Sequence, residues 1–259
     1  EGWFYSLAPV ISFIPAMLTF AIIPFGEPTE IFGHKVDLIL SDLNIGLLFF
    51  FAVTSLSVYG VMLAGWSSGS KYSLLGALRA SAQMVSYEVA YGLSIIGVAL
   101  FAQTLSLQEL VAQQDGFWNM YVWKQPVGFA IFMICAVAET NRAPFDLAEA
   151  ESELVAGFHT EYSSMRFATF FIGEYASMIA VGAIATTVFF GGWQPLIPGL
   201  DFIPSFVWFA LKVGAFMFFY IWLRATLPRF RYDQLMNFGW KVLFPLALVN
   251  AMVAAAIIL

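Results

Sequence analysis

Charge is what this sequence has least of. Only 11% of its 259 residues are Asp, Glu, Lys or Arg, against 61% hydrophobic. A soluble domain carries roughly a quarter charged residues, so a water-soluble fold is excluded. Cysteine is nearly absent. The one thiol, Cys135, lies in an apolar run and leaves no intrachain disulfide or cysteine-ligated cluster. The two histidines, His34 and His159, have no companion at ligand spacing, so no metal site is expected. No basic patch of nucleic-acid type exists, and no nucleic-acid partner is expected. The apolar runs are continuous rather than alternating over about ten residues, which excludes a transmembrane barrel. The first residue is Glu1, with no signal-peptide pattern, and an N-terminal portion is expected to precede it.

What is left is an all-α, polytopic bundle of transmembrane helices, expected to form a single integral membrane domain over residues 1–259. A spanning helix needs about 20 apolar residues. Such windows fall at 6–25, 43–65, 74–101, 118–138, 164–190, 204–224 and 237–259, which makes seven. Pro15 is expected to kink the first. Ser106 to Gln114 reads as a short amphipathic helix on the surface. No linker divides the chain, and no internal repeat of the transporter kind is visible.

Seven crossings put the loops near 66–73, 139–163 and 225–236 on one side. Lys71, Arg79, Arg142, Arg166, Arg224, Arg229, Arg231 and Lys241 belong to that side, and only Lys35 and Lys124 to the other. The excess of cations assigns the first side to the cytoplasm of a bacterium, or to the matrix of a mitochondrion.

Against this sparse background, acid is concentrated in one place. Glu139, Asp146, Glu149, Glu151, Glu153 and Glu161 are six of the seventeen acidic residues. Pro144, with Asp146 and Glu149 in capping-box spacing, predicts a short helix that Gly157 would stop. Glu149 and Glu153 share its polar face, and Glu151 falls among Leu147, Ala148, Ala150, Leu154 and Val155. Three more ionisable groups, Glu88, Glu174 and Lys212, lie inside spans, with Tyr87, Tyr91 and Tyr175 beside the two glutamates. A charge there costs several kcal/mol, so each is expected to be neutral, paired or beside water. Two readings stay open on the residues alone: ion pairs that fix helix packing, or a proton relay of coupled carboxylates.

Three motifs carry a family resemblance. The first is Gly65-Trp66-Ser67-Ser68 with Lys71 to Ala80 and Ser86-Tyr87-Glu88-Val89. The second runs from Glu139-Thr-Asn-Arg-Ala-Pro-Phe-Asp146 through Phe158 to Glu161-Tyr162 and Gly173-Glu174-Tyr175. The third is Leu227-Pro-Arg-Phe-Arg-Tyr-Asp-Gln-Leu-Met236. Together they resemble the membrane subunit 1 family of respiratory complex I, the proton-pumping NADH:quinone oxidoreductase, whose bacterial members are the H subunits.

The resemblance implies an eight-helix protein of which seven helices are visible; the first helix and a Gly-Glu-Arg-Arg loop would precede Glu1. It implies that Glu88, Glu139, Glu149, Glu153, Glu161 and Glu174 belong to a proton channel. Asp146, Glu151, Arg142, Phe167, Phe171, Arg224 and Arg229 would line or organise a quinone chamber. It implies no cofactor on this chain, quinone as substrate, and NADH, FMN and iron–sulfur clusters handled by partner subunits. Those partners would be soluble iron–sulfur subunits at the cytoplasmic or matrix face, and small membrane and antiporter-like subunits within the bilayer. The competing readings are an anchor subunit of a membrane-bound hydrogenase or F420H2 dehydrogenase, a secondary transporter, and a purely structural anchor.

Overall fold

The computed structural model describes residues 2–31, 34–146, 157–196 and 202–258. Among these, six helices are long and apolar enough to cross a membrane. Helix α1 spans Gly2–Thr19 and runs on through a tight turn, Phe20–Ile22, with Pro9 and Pro15 inside it. Helix α2 covers Gly46–Ser67 and α3 Lys71–Ala102. At 1.5 Å per residue, α3 is about 48 Å long, well beyond a hydrocarbon core of about 30 Å, so it tilts or projects from the bilayer.

The predicted fourth span is a correction. Residues 118–138 do not make one helix. They divide into a short turn, Phe117–Asn119, a four-residue helix α5 (Tyr121–Lys124), and α6 (Pro126–Glu139). Pro126 has no amide hydrogen to give the preceding turn and so opens a helix rather than continuing one. Fourteen residues cover about 21 Å.

The amphipathic helix read at Ser106–Gln114 is present as α4, Leu107–Ala112, with the Ser106 hydroxyl capping the Glu109 amide. Its Leu107, Leu110 and Val111 are buried in the bundle rather than laid on a surface.

Helix α7 is Ser164–Phe189 and α8 Ser205–Thr226. The last span, Tyr232–Ile258, consists of α9 (Tyr232–Phe238), a π-helical turn (Gly239–Leu243) and α10 (Phe244–Ile258). Pro245 lies two residues past the end of the wide turn, where its missing amide hydrogen interrupts the ladder. A small antiparallel ribbon, β1 (Thr29–Ile31) and β2 (His34–Val36), joins α1 to α2 outside the helical bundle. Strands of three residues leave no periodic trace in a sequence, and none is expected from this one.

The contacts sort the loops as the crossings require. At one end, Tyr5 donates its hydroxyl to the Glu161 carbonyl (2.5 Å) and the Phe230 amide bonds the Pro144 carbonyl (3.2 Å). At the other, the Glu27 amide meets the Ser205 hydroxyl, and the Gln114 side chain accepts from the Gly191 amide. Exposed tryptophans mark both ends, Trp3 and Trp66 at the first and Trp118 and Trp123 at the second, as at membrane interfaces.

The described residues build two apolar cores. The larger gathers α3, α6, α7 and α10 around Tyr91, Phe132 and Ile184; the smaller joins α1, α2 and α3 around Ala8, Ala77 and Phe158.

Candidate functional site

Between these cores lies a cavity of about 60 Å³, its wall mostly apolar but studded with polar side chains. Ser12 and Thr19 reach it from α1, Thr54 and Ser57 from α2, Glu139 and Thr140 from the end of α6, and Glu174 and Ser177 from α7. Those polar groups and this volume suit a few water molecules.

Glu174 is ion-paired here. Its Oε2 lies 3.1 Å from Arg142 Nη2, both side chains mostly buried, and the guanidinium also stands 4.6 Å from the Tyr175 ring centroid. Glu139 is different. It is 9% exposed, and its Oε2 has no hydrogen-bond partner among the described residues. It lies within electrostatic reach of Glu88, whose Oε1 accepts the Ser55 hydroxyl. The constellation thus brings together Glu88, Glu139, Glu174 and Arg142 from three helices and a loop.

The turn after α6 is what sets Glu139 and Asn141 on the cavity and carries Arg142 to Glu174. Gln83 of α3 donates to the Ala138 carbonyl (2.9 Å), the Asn141 side chain (3.3 Å) and the Phe145 carbonyl (3.0 Å). One buried amide therefore ties down three points of the loop. Sequence reasoning missed it, although Gln83, Tyr87 and Tyr91 repeat every four residues along α3. Such a row of polar groups faces one neighbour. Tyr87 completes that row by donating to the Leu235 carbonyl (2.9 Å) beside the π-helical turn.

Other predicted residues sit elsewhere. Asp146 pairs with Arg229 at 3.0 Å. Their neighbours Phe145 and Phe230 stack at 5.7 Å and enter the wall of a second, apolar cavity of about 530 Å³ between α6, α8 and α9. Phe167 and Phe171 are not in that wall. They pack 4.6 Å apart around His159 at the start of α7. Arg224 is exposed near the end of α8. Glu161 is exposed, next to Tyr162, which stacks on Tyr5 at 4.1 Å. Burial pushes the Tyr162 phenol above its usual range, partly offset by Ser67. Glu149, Glu151 and Glu153, with the short helix expected there, lie outside the described residues.

Lys212 does not join the carboxyls. Its Nζ donates to the carbonyls of Phe190 (2.7 Å), Gly192 (2.8 Å) and Gln194 (2.7 Å) at the far end of α7. Gly191 and Gly192, both at positive φ, turn the chain so that these oxygens converge. A cation at a helix C-terminus meets the negative end of the dipole, which accounts for a buried lysine held by carbonyls.

The fold and the site define a class: a polytopic membrane protein with buried acid around a water-sized interior space. Comparison with known proteins narrows it. The chain belongs to the NADH dehydrogenase family, whose model matches residues 1–255. It is 54% identical over its whole length to an H subunit of the NADH-quinone oxidoreductase of Geobacter metallireducens, covering 77% of that protein. The corresponding protein of Protochlamydia amoebophila is 54% identical over 98% of this chain and 76% of its own length. That of Frankia casuarinae is 55% identical over 97% of this chain and 56% of its own.

Proposed function

We propose that this chain is a membrane subunit of a proton-translocating NADH:quinone oxidoreductase, and that Glu174, Arg142, Glu139 and Glu88 carry protons when quinone is reduced nearby. The observation that carries the reading is the cavity shared by Glu139 and Glu174, one carboxyl paired with a cation and the other with a free oxygen. A buried carboxyl without a fixed partner is costly unless it exchanges a proton or meets water.

The coupling needs no covalent chemistry on this chain. Two-electron reduction of a quinone consumes two protons and moves negative charge towards the site before they arrive. At an effective dielectric near 20, a unit charge about 10 Å away interacts with a carboxylate by roughly 1–2 kcal/mol, or about tenfold in proton affinity. An isoprenoid quinone requires an apolar path with a polar end. The cavity bounded by Phe145, Phe219, Phe230 and Phe238 supplies apolar wall, and the Asp146–Arg229 pair lies beside it.

In this reading Glu149, Glu153 and Glu161 continue the channel into the acidic loop. Glu151 and Arg224 take the chamber side, while Phe167 and Phe171 pack around His159 away from the apolar cavity. NADH, FMN and iron–sulfur clusters belong to partner subunits. Soluble iron–sulfur subunits would cover the acidic loop on the cytoplasmic face, and antiporter-like subunits would receive protons within the bilayer.

Replacing Glu139 or Glu174 by Gln keeps volume and hydrogen-bonding capacity but removes the exchangeable proton. Each is expected to lower proton-coupled NADH:quinone turnover about tenfold in the assembled complex, measured in reconstituted vesicles with a pH-sensitive dye. Full proton yield per NADH in both variants would refute the relay.

A further inference from the structure

Beyond the carboxyl cavity, towards the end that carries α4 and α5, the bundle closes in two layers. Ala180 and Val181 are the last residues of α7 in the cavity wall. Eight residues further, about 12 Å along the helix, Phe189 enters a row of aromatic rings. Its ring centroid lies 5.2 Å from those of Phe129 and Phe132 on α6. Phe129 also meets Phe190 at 5.3 Å, and Phe190 meets Phe216 of α8 at 5.6 Å. All four contacts are edge to face, so three helices close on one another through rings. The Thr186 and Thr187 hydroxyls beside them spend their hydrogens on their own helix, at the Gly182 (2.9 Å) and Ala183 (2.8 Å) carbonyls.

The second layer is polar and saturated. Gln114 is fully buried. Its Nε2 donates to the Leu110 (3.1 Å) and Thr187 (3.0 Å) carbonyls, and its Oε1 accepts the Tyr121 (3.2 Å) and Gly191 (3.0 Å) amides. Lys212, on the same loop, has committed its three hydrogens to carbonyls. Trp208 Nε1 is left without a partner at this end, but an indole N–H only donates and cannot pass a proton on. An apolar constriction excludes water, and a fixed ammonium behind it disfavours a second positive charge. The cavity half is the opposite, with Ser12 Oγ and Glu139 Oε2 lacking partners among the described residues.

We propose that the phenylalanine row and the Gln114–Lys212 network together insulate the carboxyl cavity from the far side of the membrane. Protons collected at Glu139 and Glu174 then leave sideways, towards neighbouring subunits, and not through this chain. This inference rests on the proton-channel reading and adds to it the route that is closed.

The test uses the assembled complex of a genetically tractable relative in sealed vesicles, without NADH. A pH step is applied with the membrane potential clamped by potassium and valinomycin, and a trapped dye reads proton entry. Gln114→Ala opens the Gly191 and Tyr121 amides and the Thr187 carbonyl to water, and Phe129→Ser sets a hydroxyl into the ring row. Resistances in series add, so each variant alone is expected to raise the leak about twofold and the pair at least about tenfold. Gln83→Leu, which loosens the other end, is expected to stay as tight as wild type. If the pair fails to assemble, Gln194→Ala, which removes only the bond to the Val111 carbonyl (3.1 Å), replaces Gln114→Ala with the same expectation. A pair as tight as wild type, with Glu139→Gln impaired in proton yield, would overturn the insulation and leave the channel standing. An equal leak in Gln83→Leu would also overturn it, by showing that general loosening opens the path. A leaking pair with full proton yield in Glu139→Gln would instead overturn the channel reading, while the barrier itself stands.

Discussion

Lys212 offers the sharpest separation between a charge that moves and a charge that holds. Its ammonium spends all three hydrogens on carbonyls at 2.7–2.8 Å, in a site 4% exposed. Replacement by Met keeps the length of the side chain and removes all three bonds. A hydrogen bond to a charged group contributes about 1.5–3 kcal/mol. Water re-entering from the loop side recovers part of this, since the Phe190 and Gln194 ends of the network are only partly buried. A net loss of about 3–5 kcal/mol follows.

For a chain of this size that corresponds to a fall of roughly 10 °C in the unfolding midpoint. The measurement is thermal inactivation of the purified complex, with proton yield per NADH read at low temperature. The expected result is a large loss of heat resistance with an unchanged proton yield. Lys212→Arg should fall between, because a planar guanidinium cannot direct three hydrogens onto oxygens gathered about one point. An unchanged midpoint with abolished proton transfer would refute the reasoning and return Lys212 to the relay.

Two further outcomes follow from contacts of the same kind. Gln83→Leu removes the donor to the Phe145 carbonyl and one of the two donors to the Ala138 carbonyl, at a cost of about 1–3 kcal/mol, and should loosen the loop that carries Arg142. Faster amide exchange over 140–146 would show it, and unchanged exchange would contradict it. Gly60→Val would drive a Cβ to 2.2 Å from the Ser12 hydroxyl and 2.7 Å from its backbone nitrogen, prising α1 from α2. That clash exceeds the usual overpacking cost of about 1–3 kcal/mol, because backbone cannot yield as a side chain does. Native gel electrophoresis should show reduced assembly.

The spans were legible because an apolar run of about 20 residues has few alternatives to crossing a bilayer. The error at 118–138 shows where that inference stops: hydropathy is blind to whether a backbone amide exists, and Pro126 breaks a run that composition alone joins. Within the site, Glu88, Glu139, Arg142 and Glu174 stood out because charge in an apolar sequence is conspicuous. Gln83 did not. A side-chain amide barely alters the hydropathy of a helix, yet this one determines where the loop sits. The partners of Lys212 were illegible for another reason. They are backbone carbonyls, which carry no side-chain signature, and only the paired Gly191-Gly192 hinted that the chain would fold back there.

The bundle buries charge in more than one way, and the differences decide which groups can act. Lys212 is saturated by dipoles that are part of a helix end and cannot leave, so its proton has no route away. Glu174 has a counterion, Arg142, which lies three residues beyond Glu139 on the same tethered turn. Glu139 has an oxygen that no described residue holds. A proton arriving at Glu139 removes a charge from the vicinity of Glu88 at little structural cost, because no bond of that free oxygen has to break. A proton arriving at Glu174 must first weaken an ion pair at 3.1 Å and so also releases Arg142. In the proposed relay the two sites would therefore load in order, Glu139 freely and Glu174 only when negative charge elsewhere competes for the guanidinium. Such asymmetric partnering would give the relay a direction, which two equivalent carboxyls would not have.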